Sequence, residues 1–248
     1  RINMEKIKAS EISKPEYIGN KILYDMCEQY KSNDVAENVS AKFWLIGRSY
    51  AASPERRDTK PTTTEKKYEY FFDRFSEIFV KNSSVKEIDD LIDNLNKSDY
   101  TGNYDCDKEL ISNAIHLVEL FNRTVIKTIK ELDKSNKDEN QMRQNISFSS
   151  KYLHFHCKKI IYIIDSYSNA NAKNYCKYFK NEIQLDEKKN DFKRNFEFSD
   201  ININNSYKAK IYNYIDHFLN CYFIATYQSD TMITPREVDT FLLQENWK

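Results

Sequence analysis

The stretch Asp107–Lys134, DKELISNAIHLVELFNRTVIKTIKELDK, decides the fold class. Its apolar residues Leu110, Ala114, Leu117, Val118, Phe121, Val125, Ile129 and Leu132 recur at intervals of three and four, the spacing that gathers side chains on one face of a helix. A strand would need alternation instead, and none is present over this length. A helix of this reach with one apolar face requires other helices to cover it.

The rest of the chain supplies them. Residues 15–31 place Ile18, Ile22, Leu23, Met26 and Tyr30 at helical spacing, and further helices are expected over Val39–Ala52, Tyr68–Val80, Ser84–Leu95, Asn169–Phe179 and Tyr207–Tyr227. Thr234-Pro-Arg-Glu237 has the capping-box pattern with proline at the first helical position, so a short helix should run from Pro235 to about Gln244. Ser53–Glu65, with two prolines and a threonine run, and Asn96–Cys106, with Gly102, read as loops. Gln184–Asn205 reads as a charged, asparagine-rich connection.

Only three glycines and four prolines occur in 248 residues. That poverty argues against a turn-rich β-sandwich, a Rossmann fold and a glycine-rich phosphate loop. The expectation is an all-α, multi-helix domain over 4–248, with two helical lobes, 4–134 and 135–248, flanking a cleft as the division the pattern allows. Five scattered cysteines without a C-x-x-C pair fit reduced thiols and outline no zinc framework. No apolar run reaches the roughly 18 residues of a spanning helix, and no leader pattern opens the chain, so a soluble cytoplasmic protein is expected, with no membrane partner.

Acidic and basic residues balance at 38 each, so any binding of nucleic acid must come from a local patch. One candidate lies between Lys151 and Arg194, where ten Lys and Arg face five acids. It overlaps and extends the chain's most unusual segment, Ile146–Asp165, ISFSSKYLHFHCKKIIYIID. Ser147-Phe148-Ser149-Ser150-Lys151 has the order small, apolar, small, any, lysine. That is the shape of a hairpin whose backbone N–H groups point at a phosphate before the next helix begins. His154 and His156 tempt toward a metal, but two residues on a helix diverge and no second ligand pair stands at a zinc-like spacing. No metal and no cofactor is expected.

This segment resembles the helix-hairpin-helix DNA glycosylase superfamily, in particular bacterial 8-oxoguanine-glycosylase-like proteins. The family hairpin reads roughly Gly-apolar-Gly-x-Lys, with a Pro-apolar-Asp stretch after it. Here serines stand at the glycine positions and no proline precedes Asp165. The resemblance covers about twenty residues and implies a helix-hairpin-helix-like element around residues 142–165. It further implies Lys151 as the nucleophile on the sugar C1′ and Asp165 as the carboxylate supporting the cationic sugar. The partner would be double-stranded DNA, and the reaction cleavage of the N-glycosidic bond of a damaged or modified base. Ser147, Ser149, Ser150, Lys158 and Lys159 would contact DNA, joined by Arg48, Arg56 and Arg57 of Phe43–Arg57, FWLIGRSYAASPERR. An arginine in an apolar helix is expensive unless it pairs or meets a ligand, which is what singles out Arg48. The competing expectation is a non-catalytic helical module that binds DNA or protein.

Overall fold

The computed structural model describes residues 18–52, 54, 66–133, 144–181, 183–200, 203–227, 229 and 231–244. All regular elements among them are helices: α1 Ile18–Gln29, α2 Ala36–Ser49, α3 Lys66–Phe79, α4 Ser84–Asn96, α5 Tyr104–Asp133, α6 Ile146–His156, α7 Ser166–Cys176, α8 Leu185–Asn195, α9 Asn205–Tyr227 and α10 Pro235–Gln244. None is long and apolar enough to cross a membrane.

The 30-residue α5 is the axis of the molecule. Its expected apolar face is buried except at the half-buried ends Leu110 and Leu132, yet from Leu117 to Ile126 every residue is buried, because α3, α4, α6 and α9 surround it. A helix covered all round must satisfy its polar side chains internally. Glu119 does so by accepting from the Tyr207 hydroxyl at 3.0 Å and the Ser199 N–H at 3.1 Å. Asn122 accepts from the Asn145 N–H at 2.9 Å and donates to Gln144 at 2.9 Å, and Arg123 pairs with Asp200.

Beside α5, Phe43 of α2 meets Phe75 and Phe79 of α3, Phe121 of α5, and Phe148 and Tyr152 of α6, with ring centroids 4.9–5.9 Å apart. Offset and edge contacts of this kind each add about 0.5–1.5 kcal/mol beyond area burial. They bind α6 to α2 and α5, and α6 also packs on α1, so one continuous core joins the residues on both sides of position 134.

Two sequence expectations need correction. The charged stretch after Gln184 contains α8. That helix escapes a periodicity search because only Leu185 and Phe192, seven residues apart on one face, are buried. The hairpin expected at Ser147–Ser150 is instead the first turn of α6, which starts at Ile146, with Ser149 N–H already bonded to the Asn145 carbonyl at 2.8 Å. A tight hairpin there needs a residue at positive φ, which serine resists. Among the described residues only Ala51, Gly102 and Gln184 have positive φ.

Candidate functional site

α6 ends at His156, and after a turn the chain runs buried and outside any helix from Ile161 to Ile164 before α7 begins. A buried segment outside helix or sheet strands its backbone polar groups unless side chains meet them. Here they do, one carbonyl at a time. Tyr100 donates to the Ile160 carbonyl at 3.0 Å, His154 Nδ1 to Ile161 at 2.8 Å, Tyr214 to Tyr162 at 3.1 Å and His217 Nε2 to Ile163 at 2.7 Å. Ser150 Oγ accepts the Ile164 N–H at 3.2 Å.

These bonds settle the histidine chemistry. A carbonyl only accepts, so His154 carries its proton on Nδ1, and Nε2 accepts from the Tyr24 hydroxyl at 2.6 Å. Burial pushes the His154 and His217 imidazoles down to about 4, which keeps both neutral. His156 is also buried, beside the Tyr152 ring at 4.9 Å, and its Nε2 has no hydrogen-bond partner among the described residues. No group of three or more potential metal-ligating side chains gathers among the described residues.

The clamped segment delivers Asp165 to the start of α7. Its Oδ1 accepts the Ser168 N–H at 2.8 Å while Ser168 Oγ accepts the Asp165 N–H at 3.2 Å, a complete capping box. Asp165 is also one of the two carboxylates whose charge acts on Lys151. Lys151 is buried, 6% exposed, with its ammonium 3.3 Å from Ser147 Oγ and 5.7 Å from the centre of the Tyr50 ring. Burial lowers its pKa, against the opposing pull of Asp165 and Asp239.

Asp239 of α10 completes the cluster. Its Oδ2 accepts from Arg236 Nη1 at 2.6 Å, while its Oδ1 is buried with no hydrogen-bond partner among the described residues. Burial pushes this carboxyl up to about 6, held down in part by Arg236 and Lys151. An ion pair between Arg236 and Asp239 was legible from their i, i+3 spacing. That the Asp239 charge would act on Lys151 was not, because α10 reaches this part of the molecule only in the folded chain, where it packs on α7 and α9. The one sequence signal was an acid inside the apolar run Val238–Leu242. Tyr24, which feels the charges of Arg236 and Asp239, gave no signal at all.

The residues assigned to DNA contact scatter. Ser149 Oγ returns to the Asn145 carbonyl at 3.0 Å, and Ser150 Oγ donates to the Ser147 carbonyl at 3.1 Å. With Ser147 holding Lys151, all three serine hydroxyls are used inside the protein, and the phosphate-facing role expected of them does not fit. Arg48 stands on the exposed face of α2, as Trp44 does one turn earlier, so the cost of burying an arginine does not arise there. Lys158 and Lys159 are exposed in the turn after α6, the first 5.8 Å from the Tyr24 ring centre and the second 2.9 Å from Asp99. Arg56 and Arg57 lie outside the described residues. Scanned against protein-family models the chain matches none, and neither the curated proteins nor the solved structures provide a match to it.

Proposed function

We propose that the protein is a DNA glycosylase-like enzyme that breaks the N-glycosidic bond of a damaged or modified base, with Lys151 as nucleophile and Asp165 as the electrostatic support. The observation that carries this reading is the buried cluster itself. An ammonium destabilised by burial is held by a single hydroxyl and lies within the field of two carboxylates. A lysine must lose its proton to attack, and burial makes that loss easier. Asp239, with a carboxyl near 6, is the group of the cluster suited to take the proton.

In the proposed reaction the Lys151 Nζ lone pair forms a bond to C1′. The bond from C1′ to the base nitrogen breaks, and its electron pair leaves with the base, which takes up a proton. Positive charge that builds on the sugar in this step is stabilised by the Asp165 carboxylate, whose Oδ1 is already oriented by the capping box. Opening of the sugar ring then yields an imine to Lys151, which borohydride reduces to a stable amine.

The test uses duplexes bearing 8-oxoguanine, uracil or modified cytosines, incubated with the whole protein and borohydride. A covalent adduct is expected from the unmodified chain and none from Lys151→Gln. Asp165→Asn should slow the reaction by about 10²-fold or more. It should leave the fold intact, since asparagine caps helices as well as aspartate does. Base release without an adduct, seen as strand breaks only after alkali treatment, would assign a monofunctional reaction to Asp165. Silence on every base, with salt-sensitive DNA binding retained, would make the protein a helical binding module instead.

A further inference from the structure

Away from the Lys151 cluster, one face each of α7, α8 and α9 converges on a cavity of about 360 Å³. Its charged lining is Lys173, Asp186, Lys189, Lys193 and Asp216, and Asn220 also lines it. Asp216 is paired with Lys193 at 2.6 Å, and Asp186 with Lys180, outside the cavity, at 3.5 Å. Both carboxylates are thereby matched. Two cations are left over: Lys173, whose ammonium donates to the neutral Asn213 amide at 2.9 Å, and Lys189, which makes no hydrogen bond or ion pair among the described residues. Burial pulls the Lys189 pKa down, against the opposing pull of the Asp216 and Asp186 carboxylates.

Asn220 adds an independent observation. Its side chain is fully buried, and both its amide nitrogen and its amide oxygen lack a hydrogen-bond partner among the described residues. Exchanging the two ends of the amide would change nothing, since neither is bonded. A buried amide with both ends unmet is a costly feature that a bound polar ligand relieves.

We infer that this cavity binds a phosphate-bearing anion, with Lys173 and Lys189 supplying charge and the Asn220 amide donating to one oxygen and accepting from a ligand hydroxyl. The volume exceeds what a lone phosphate fills and falls in the range of small-molecule sites, about 300–1,000 Å³, so a phosphomonoester of nucleotide size fits it best. The inference stands apart from the proposed glycosylase reaction, which uses none of these residues.

Titration calorimetry of the whole protein with inorganic phosphate, a nucleoside 5′-monophosphate and a short undamaged DNA duplex tests the site and separates its sources. Saturable binding of at least one probe is expected, with the monophosphate tightest. A tenfold or greater loss is expected in Lys189→Met and in Asn220→Leu, and no change in Lys177→Ala, an exposed lysine outside the cavity that donates to Asn174. Lys189→Met keeps the side-chain volume of a half-buried residue, and Asn220→Leu keeps the branched shape while removing an unbonded buried amide, so both should fold. Binding of the duplex alone, lost in the same two variants, would assign the site to a backbone phosphate. No saturable binding of any probe, or binding that neither variant weakens, overturns the inference.

Discussion

Two buried lysines, Lys42 of α2 and Lys151 of α6, differ in how their ammonium groups are held. Lys42 is fully buried and its three protons are all spent, on the Tyr30 carbonyl at 3.0 Å, the Ser32 carbonyl at 3.1 Å and Asn33 Oδ1 at 2.9 Å. Burial nevertheless brings its pKa down to about 8. Its neighbours are tied in turn: Asn33 bonds Asp89 at 2.6 Å and accepts from the Tyr152 hydroxyl at 2.5 Å. Lys151 has one serine hydroxyl at 3.3 Å and an aromatic face. A depressed pKa is common to both. What separates a corner brace from the proposed nucleophile is how many of the protons are already committed.

The sharpest way to break this comparison is to truncate each charge. Lys42→Met removes the donor to the part-buried Tyr30 and Ser32 carbonyls and one of the donors to the buried Asn33, so it should cost about 3–5 kcal/mol. Lys151→Met deletes a buried charge with one weak bond and should stay within about 1 kcal/mol of the parent. Urea denaturation midpoints decide the matter, and equal losses would remove the distinction.

Acid titration probes the carboxyl that faces Lys151. Asp239 has its carboxyl pushed from 3.8 up to about 6, so the folded chain holds that proton more tightly than the unfolded chain. Its contribution to stability is present below pH 3.8 and is lost as pH rises through 6, a swing of up to about 3 kcal/mol. His154 and His217, pushed from 6.5 down to about 4, act in the opposite sense. Their contribution is present above pH 6.5 and is lost as pH falls through 4. Asp239→Asn removes the term that offsets the histidines, so stability should fall more steeply between pH 6.5 and 4 than in the parent. Parallel pH profiles of the two proteins would refute this assignment.

A smaller effect is expected from the clamp that positions Asp165. His154→Phe strands the Ile161 carbonyl and the Tyr24 hydroxyl, at a cost of about 2 kcal/mol. Tyr24→Phe in the same chain should recover part of that loss, because the second stranded group is then gone. Additive losses in a double-mutant cycle would show that the two side chains act separately.

Sequence and structure divide the explanation unevenly between fold and site. The helices of the core announced themselves in spacings of three and four, and α10 in its Thr234–Glu237 box, where the Glu237 carboxylate accepts the Thr234 N–H at 2.7 Å. These are local signals, set by residues within a turn or two of one another. α8 was missed because two anchors among charged residues make no period. The hairpin was misplaced because Ser147-Phe-Ser-Ser has the right order of sizes but lacks the glycine freedom a tight turn needs.

Lys151 and Asp165 could be singled out from sequence, and so could the helix-cap role of Asp165. That Tyr50 and Asp239 would act on Lys151 could not, since these residues come from the C-terminal end of α2 and from α10. Composition and periodicity by themselves determined an all-helical protein and most of its helix positions, because helix formation is governed over short range. Only the tertiary structure decided which polar groups are buried together and which of their hydrogen bonds are left unmade, because burial and pairing are properties of elements brought together from distant parts of the chain.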